Sequence, residues 1–181
     1  MTELGNEGNF KPKSSPEERG GEVIVGQDTW AEISAAKGES KTIATFDLLD
    51  CEAVSIIIEG TDGVRTAYIQ DYSPDKNLES VDVLAKNLER LKLIPKTTVT
   101  VGIMIPELVY FEDETVQSLT NKCLLAFAPD VVIEVFSYKA TEYGDGYDQG
   151  SLMIELGHDG QNNLGIKGLP DHIAELGHKS A

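Results

Sequence analysis

The chain has 181 residues, of which 31 are acidic and 15 are basic, so its formal net charge at pH 7 is −16. A hydrophobic content of 40% is enough to build one domain with its own core, which excludes a chain that is disordered throughout. A surface this acidic repels phosphate groups, so the composition disfavours nucleic acids and anionic membranes and favours a protein partner or protein substrate, most simply a basic one.

The first half of the chain is predicted to supply much of a β-sheet. Residues 1–21 are rich in Gly, Pro, Ser, Glu and Lys and are expected to form a flexible tail, so order should begin at Glu22. The stretch 26–41 suits a loop or short element that covers one end of the core. Strand-forming residues follow in "KTIATFDLL", "CEAVSIIIEG" and "VRTAYIQDY", and the "GTDG" between the last two predicts an antiparallel hairpin.

The second half alternates helical and strand patterns. Apolar residues from Leu78 to Leu91 recur at steps of three and four, which predicts an amphipathic helix, and a second helix is expected over 113–127. Strands are predicted in "TTVTVGIMI", "DVVIEVFSYK" and "SLMIEL", and 157–181 is expected to be a weakly ordered tail. The order of elements implies an α/β (α+β) layered sandwich over 22–156, with two main helices against a mixed, partly antiparallel sheet.

The two cysteines and the lack of targeting signals indicate a reducing compartment. Cys51 and Cys123 stand in different kinds of segment, with no CxxC pair or Cys/His cluster around them, so neither a disulfide framework nor a metal site is predicted, and no cofactor motif is found. No apolar run approaches the roughly 20 residues that span a bilayer, and no secretory signal opens the chain. A cytoplasmic protein is expected, or one delivered to another cell's cytosol by a specialised secretion system.

The order of these segments resembles the CheD-like deamidases, whose fold is shared with the catalytic domain of cytotoxic necrotizing factor. The resemblance runs over about residues 22–140, through "EVIVGQDTWAEI", "TIATFDLLDCEAVSIII", "GVRTAYIQDYSP" and "VDVLAKNLERLKL". It implies a cysteine-dependent protein-glutamine deamidase. By resemblance, Cys51 takes the place of the nucleophile and Thr45, six residues earlier, that of the threonine that orients the family's histidine. Tyr68 stands at the histidine position, about seventeen residues after the cysteine.

Replacing the histidine weakens the expected chemistry. Deamidation by this route needs a thiolate, and a cysteine near its ordinary pKa of about 8.5 is only a few per cent ionised at neutral pH. Tyrosine carries no positive charge and is a poor base, and the acidic neighbours of Cys51 oppose ionisation of the thiol. Two substitutes for the base remain open: His158 after the last strand, and Asp71 acting through a water molecule.

Two functions are therefore open at the level of sequence. In the first, the protein hydrolyses glutamine side-chain amides with Cys51, Thr45 and Tyr68, with activity weak or divergent. In the second, it keeps the fold without the chemistry and binds proteins through its acidic surface, as an effector or regulator, and Cys51 is a small buried residue at the start of a strand. The enzyme hypothesis requires residues 45, 51 and 68 to meet at one end of the sheet.

Overall fold

The computed structural model describes residues 17–19, 21–48, 51–73, 77–106, 114–129, 131–138 and 150–167. They form ten strands and two helices, which in chain order are β1 (Glu17–Arg19), β2 (Glu22–Val25), β3 (Trp30–Ala35), β4 (Lys41–Leu48), β5 (Glu52–Gly60), β6 (Arg65–Tyr72), α1 (Asn77–Leu91), β7 (Lys96–Pro106), α2 (Glu114–Phe127), β8 (Val131–Tyr138), β9 (Gly150–Leu156) and β10 (Asn162–Lys167). None of the helices in these ranges is long and apolar enough to cross a membrane.

The strands form two five-stranded sheets, both mixed. The first sheet has the order β1-β2-β4-β9-β10 and the second has the order β3-β6-β5-β7-β8. Each contains one parallel pair, β2 with β4 in the first sheet and β7 with β8 in the second, and its other pairs are antiparallel. The predicted α/β sandwich is therefore confirmed, with two mixed sheets.

Two apolar cores hold these layers together. The inner core lies between the two sheets, and its buried side chains include Ile43, Ile69 and Leu152. The outer core lies between the second sheet and the two helices, which contribute Leu84, Leu88, Leu119 and Phe127. Because successive side chains of a strand point to opposite faces, the central strands β5 and β6 feed both cores. Polar side chains of β5 and β6 can therefore contact each other only where they point into the same core.

The central hairpin of β5 and β6 sets the register around the site. Its strands pair from Glu52 with Tyr72 to Glu59 with Arg65, without a bulge, around the turn that contains the predicted "GTDG". Gly63 in that turn has a φ of 80°, which a glycine adopts without the steric cost that a side chain would bring. Cys51 lies directly before β5, and Asp71 pairs with Ala53, so the two are diagonal neighbours on one face.

The strands extend beyond the bounds 22–156 predicted for the domain. Glu17–Arg19 pairs with β2, and Asn162–Lys167 pairs with β9, although the sequence places both segments in the tails. Residues 30–35, expected to be a loop or short element, form strand β3 at the edge of the second sheet. In each case pairing with a neighbouring strand satisfies backbone groups in a segment with a weak strand pattern of its own. The rest of the predicted tails lies outside the described residues.

Candidate functional site

Cys51 lies in the inner core, close to the surface of the sandwich. Only 5% of the residue is exposed, and its Sγ accepts a hydrogen bond from Nε2 of the exposed Gln27 at 3.6 Å. Its carbonyl oxygen accepts a hydrogen bond from the hydroxyl of Tyr138 at 2.6 Å, which fixes the backbone at the start of β5. The ring of Tyr138 packs on Gly150, where an added Cβ would come within 2.6 Å of a ring carbon. The sulfur is thus buried beneath the side chain of Gln27.

Thr45 and Cys51 both contact the carboxyl group of Asp71. Thr45 lies on β4 in the first sheet, is fully buried, and donates a hydrogen bond from Oγ1 to Oδ2 of Asp71 at 2.6 Å. The Cys51 thiol also donates a hydrogen bond to the Asp71 side chain. The site therefore joins the two sheets: the threonine comes from one, and the aspartate and cysteine come from the other.

Asp71 is an unusual carboxyl group because it is almost fully removed from water. Only 2% of the residue is exposed, and burial raises its pKa to about 7. The hydrogen bonds from Thr45 and from Cys51 lower the pKa, and the nearby charge of Asp28 raises it. Within the described ranges, Oδ1 of Asp71 has no hydrogen-bond partner. At neutral pH this group can therefore either accept or release a proton, as a general acid–base residue must.

The structure does not bring Tyr68 to Cys51, so the expectation that residues 45, 51 and 68 meet at one end of a sheet is wrong for Tyr68. Its fully buried side chain lies in the outer core, where its hydroxyl donates to Oε1 of Gln70 at 2.6 Å and accepts from Nδ2 of Asn87 at 2.9 Å. Burial raises the pKa of Tyr68 far above its ordinary value.

The pairing register of β5 and β6 explains why Tyr68 does not reach Cys51. Paired residues of this hairpin lie an even number of positions apart, from Glu52 with Tyr72 to Glu59 with Arg65. Side chains on one face are therefore separated by even numbers, whereas Tyr68 follows Cys51 by seventeen. Tyr68 pairs with Ile56 and points to the helices, while Asp71, twenty residues after Cys51, points into the inner core. The "GTDG" signal alone does not give this parity, because a two-residue turn would pair Gly60 with Gly63 and put Tyr68 on the face of Cys51. The loop here has three residues and is closed by the hydrogen bond from Gly60 N to Val64 O at 2.8 Å.

His158 does not supply the missing base. It is exposed and lines a cleft with Gly60, Gly63 and Arg65, at the hairpin-turn end of β5. Cys51 lies before the other end of that nine-residue strand. At about 3.3 Å per residue the two side chains are separated by the length of the strand, roughly 25 Å or more. Of the two substitutes, only Asp71 lies at the cysteine, where a hydrogen bond from the thiol lowers the carboxyl pKa.

The second cysteine, Cys123, lies away from this site. Cys123 lies on α2, is fully buried in the outer core, and burial raises its pKa to about 12. Among the described residues no group of three or more His, Cys, Asp or Glu side chains is arranged to hold a metal ion. The chemistry that this arrangement supports is proton transfer between a thiol and a carboxyl group in a site that is nearly dry.

Comparison with known proteins gives a distant structural likeness. No protein-family model matches the sequence, and no curated protein matches it. Among solved structures, the chain is similar to the crystal structure of the C-terminal domain of CNFy from Yersinia pseudotuberculosis, with a TM-score of 0.35 and 11% sequence identity. The match covers 79% of this chain and 54% of that one, so the chain spans about half the length of the structure it matches. This likeness is at most a distant relationship of fold.

Proposed function

We propose that the protein is a cysteine-dependent amidohydrolase that acts on glutamine side chains of proteins, with Cys51 as nucleophile, Asp71 as general acid–base residue and Thr45 as the residue that orients Asp71. One observation carries this proposal: the Thr45 hydroxyl and the Cys51 thiol both donate to a single buried carboxyl group whose pKa is raised to about 7. In this proposal Asp71 takes the role first assigned to Tyr68.

The pKa of Asp71 makes the first proton transfer accessible. An ordinary carboxylate with a pKa near 4 is too weak a base to deprotonate a thiol. Burial raises the pKa of Asp71 to about 7, which makes it a stronger base for the Cys51 proton than an ordinary carboxylate. The transfer has to accompany the attack, because a carboxylate beside the sulfur does not stabilise a free thiolate as an imidazolium would.

The reaction proceeds in two balanced halves. The Cys51 sulfur attacks the amide carbon while its proton moves to Asp71, and the resulting tetrahedral intermediate carries an oxyanion. Asp71 returns the proton to the departing nitrogen, which leaves as ammonia when the C–N bond breaks, and a thioester remains. Water then attacks the thioester carbon as Asp71 accepts its proton, the C–S bond breaks, and the thiol recovers its proton as glutamate is released.

The acidity of the chain suggests the class of substrate. A formal charge of −16 favours a protein with a basic surface around the reacting glutamine, since opposite charges speed encounter and fix orientation. A reducing cytosol, in the producing cell or in a cell that receives the protein, would keep Cys51 as a thiol.

The test is deamidation of glutamine in basic proteins, followed as ammonia release and as conversion of glutamine to glutamate by mass spectrometry. We expect Cys51→Ser to abolish the reaction and Asp71→Asn to slow it at least about a hundredfold, since an amide cannot accept the thiol proton. Cys123→Ser makes the same change in the outer core and should leave the rate unchanged. Deamidation that survives Asp71→Asn would remove Asp71 from the mechanism, and deamidation that survives Cys51→Ser would remove the nucleophile.

The burial of Cys51 favours a second candidate function. A sulfur in a residue only 5% exposed needs local movement before a glutamine side chain can reach it. A fold that has lost its catalysis and binds a basic protein through its acidic surface would carry the same buried cysteine. In that case Cys51→Ser should leave binding of the partner intact, while raising the salt concentration should weaken it. A folded protein whose Cys51 is inert to all thiol reagents would decide for this candidate.

A further inference from the structure

Beyond these three residues, we infer that Gln27 is a further catalytic residue, whose side-chain amide donates a hydrogen bond to the oxyanion formed when Cys51 attacks. The inference rests on the proposed function and adds to it the group that stabilises the developing charge. Gln27 is an exposed residue, and its Nε2 lies 3.6 Å from the Cys51 sulfur.

The distance fits the geometry of an acyl-transfer intermediate. When sulfur is bonded to the attacked carbon, the oxyanion lies about 2.7 Å from the sulfur, and a donor must approach it within about 3 Å. An N–H group that already contacts the sulfur reaches that position with a small side-chain rotation. Neutral amide donors, including those of glutamine, serve this purpose in acyl transfer because they stabilise negative charge without taking up a proton at neutral pH.

The turn that carries Gln27 is held in place by unusual means. Residues 26–29 form a β-turn closed by the hydrogen bond from Thr29 N to Gly26 O at 3.2 Å, and Gln27 is its second residue. The third residue, Asp28, has a φ of 59°, in the left-handed region that favours glycine. Its Oδ1 accepts hydrogen bonds from Ser73 N at 3.0 Å and Ser73 Oγ at 2.8 Å. Those bonds tie the turn to the end of β6.

A strained residue is retained where the surrounding structure needs it. Glycine would adopt the Asp28 backbone conformation at lower cost but would lose both bonds to Ser73. The same turn is tied to the site a second time, because the carbonyl of Thr29 accepts from the backbone N–H of Asp71 at 3.0 Å. Gln27 therefore extends from a turn that is fixed to β6, the strand that supplies the general base. This attachment holds its side-chain amide close to Asp71 and Cys51.

Two small thiol reagents separate this role from others. In a Cys123→Ser background, Cys51 is alkylated with iodoacetamide, a substitution that forms no oxyanion, and acylated with p-nitrophenyl acetate, which does form one. We expect Gln27→Ala to lower the ratio of the acylation rate to the alkylation rate by at least about tenfold. Gln27→Glu keeps the size of the side chain but offers no N–H, and should lower the ratio at least as much.

The control repeats these changes at an exposed glutamine far from the site. Gln161 lies in the turn between β9 and β10, and Gln161→Ala and Gln161→Glu should leave the ratio unchanged. A ratio unchanged in Gln27→Ala would overturn the inference, and a rise in both rates would show instead that Gln27 only covers the sulfur. If Cys51 reacts with neither reagent before any change at Gln27, the proposed function itself fails, and the inference fails with it.

Discussion

The two cores of this sandwich each contain a cysteine and a buried polar cluster, but the clusters are built around groups of different acidity. In the outer core, Tyr68 is bonded to Gln70 and Asn87, groups that do not ionise near neutral pH. In the inner core, Thr45 and Cys51 are bonded to Asp71, a carboxyl group with a pKa of about 7. Burial raises the pKa of the central residue in both clusters. The tyrosine then stays protonated at neutral pH, whereas the carboxyl group can donate and accept a proton there.

The largest expected difference between the cores is in thiol reactivity. With a pKa raised to about 12, Cys123 has about a thousandth of the thiolate fraction of an ordinary cysteine at pH 7.5, and it is fully buried. Single variants Cys51→Ala and Cys123→Ala isolate the two thiols. We expect iodoacetamide to alkylate Cys51 at least about a thousandfold faster than Cys123 under native conditions. If both cysteines were alkylated at the same rate, set by global unfolding, the two cores would not differ in thiol reactivity.

The next largest effect is on the pH dependence of stability. Asp71 titrates at about 7 in the folded protein and near 3.8 when unfolded, so between these values the folded state holds a proton that the unfolded state has released. Stability is therefore lost as pH rises through this window, by about 1.4 kcal/mol per unit and about 4 kcal/mol in all, and the loss is complete above pH 7.

Asp71→Asn removes this contribution because an amide does not titrate. The free energy of unfolding of the variant minus that of the wild type should rise by about 4 kcal/mol from pH 4 to pH 7.5 and then stay constant. Chemical denaturation at several pH values measures it, and Asp82→Asn, an exposed aspartate on α1, serves as the control for removal of a surface charge. A difference that does not change with pH would mean that Asp71 is ionised normally.

The smallest effect belongs to the outer core. Tyr68→Phe removes the hydroxyl that donates to Gln70 and accepts from Asn87, which should lower the free energy of unfolding by about 1–3 kcal/mol. The loss should be the same from pH 4 to pH 8, and the alkylation rate of Cys51 should not change, because the two clusters lie on opposite faces of β6. A tenfold fall in the alkylation rate of Cys51 in Tyr68→Phe would show that Tyr68 does act on Cys51.

Local patterns predicted the elements whose signals lie within a few residues. The apolar spacing up to Leu91 predicted α1, which begins at Asn77, and the second helix was predicted to within one residue, at 113–127 against Glu114–Phe127. The "GTDG" turn predicted the central hairpin. In contrast, β3 and β10 have weak patterns of their own and depend on neighbours that are distant in the chain, such as β6 for β3.

By itself, the sequence predicted a layered α/β sandwich, because strand and helix periods are properties of local chain geometry. The association of Cys51 with Thr45 was implied by the family resemblance. Only the tertiary structure showed that the side chain beside Thr45 and Cys51 is that of Asp71 and not that of Tyr68. The face of a strand depends on the register of its pairing, and the proton affinity of a carboxyl group depends on the layers that exclude water from it.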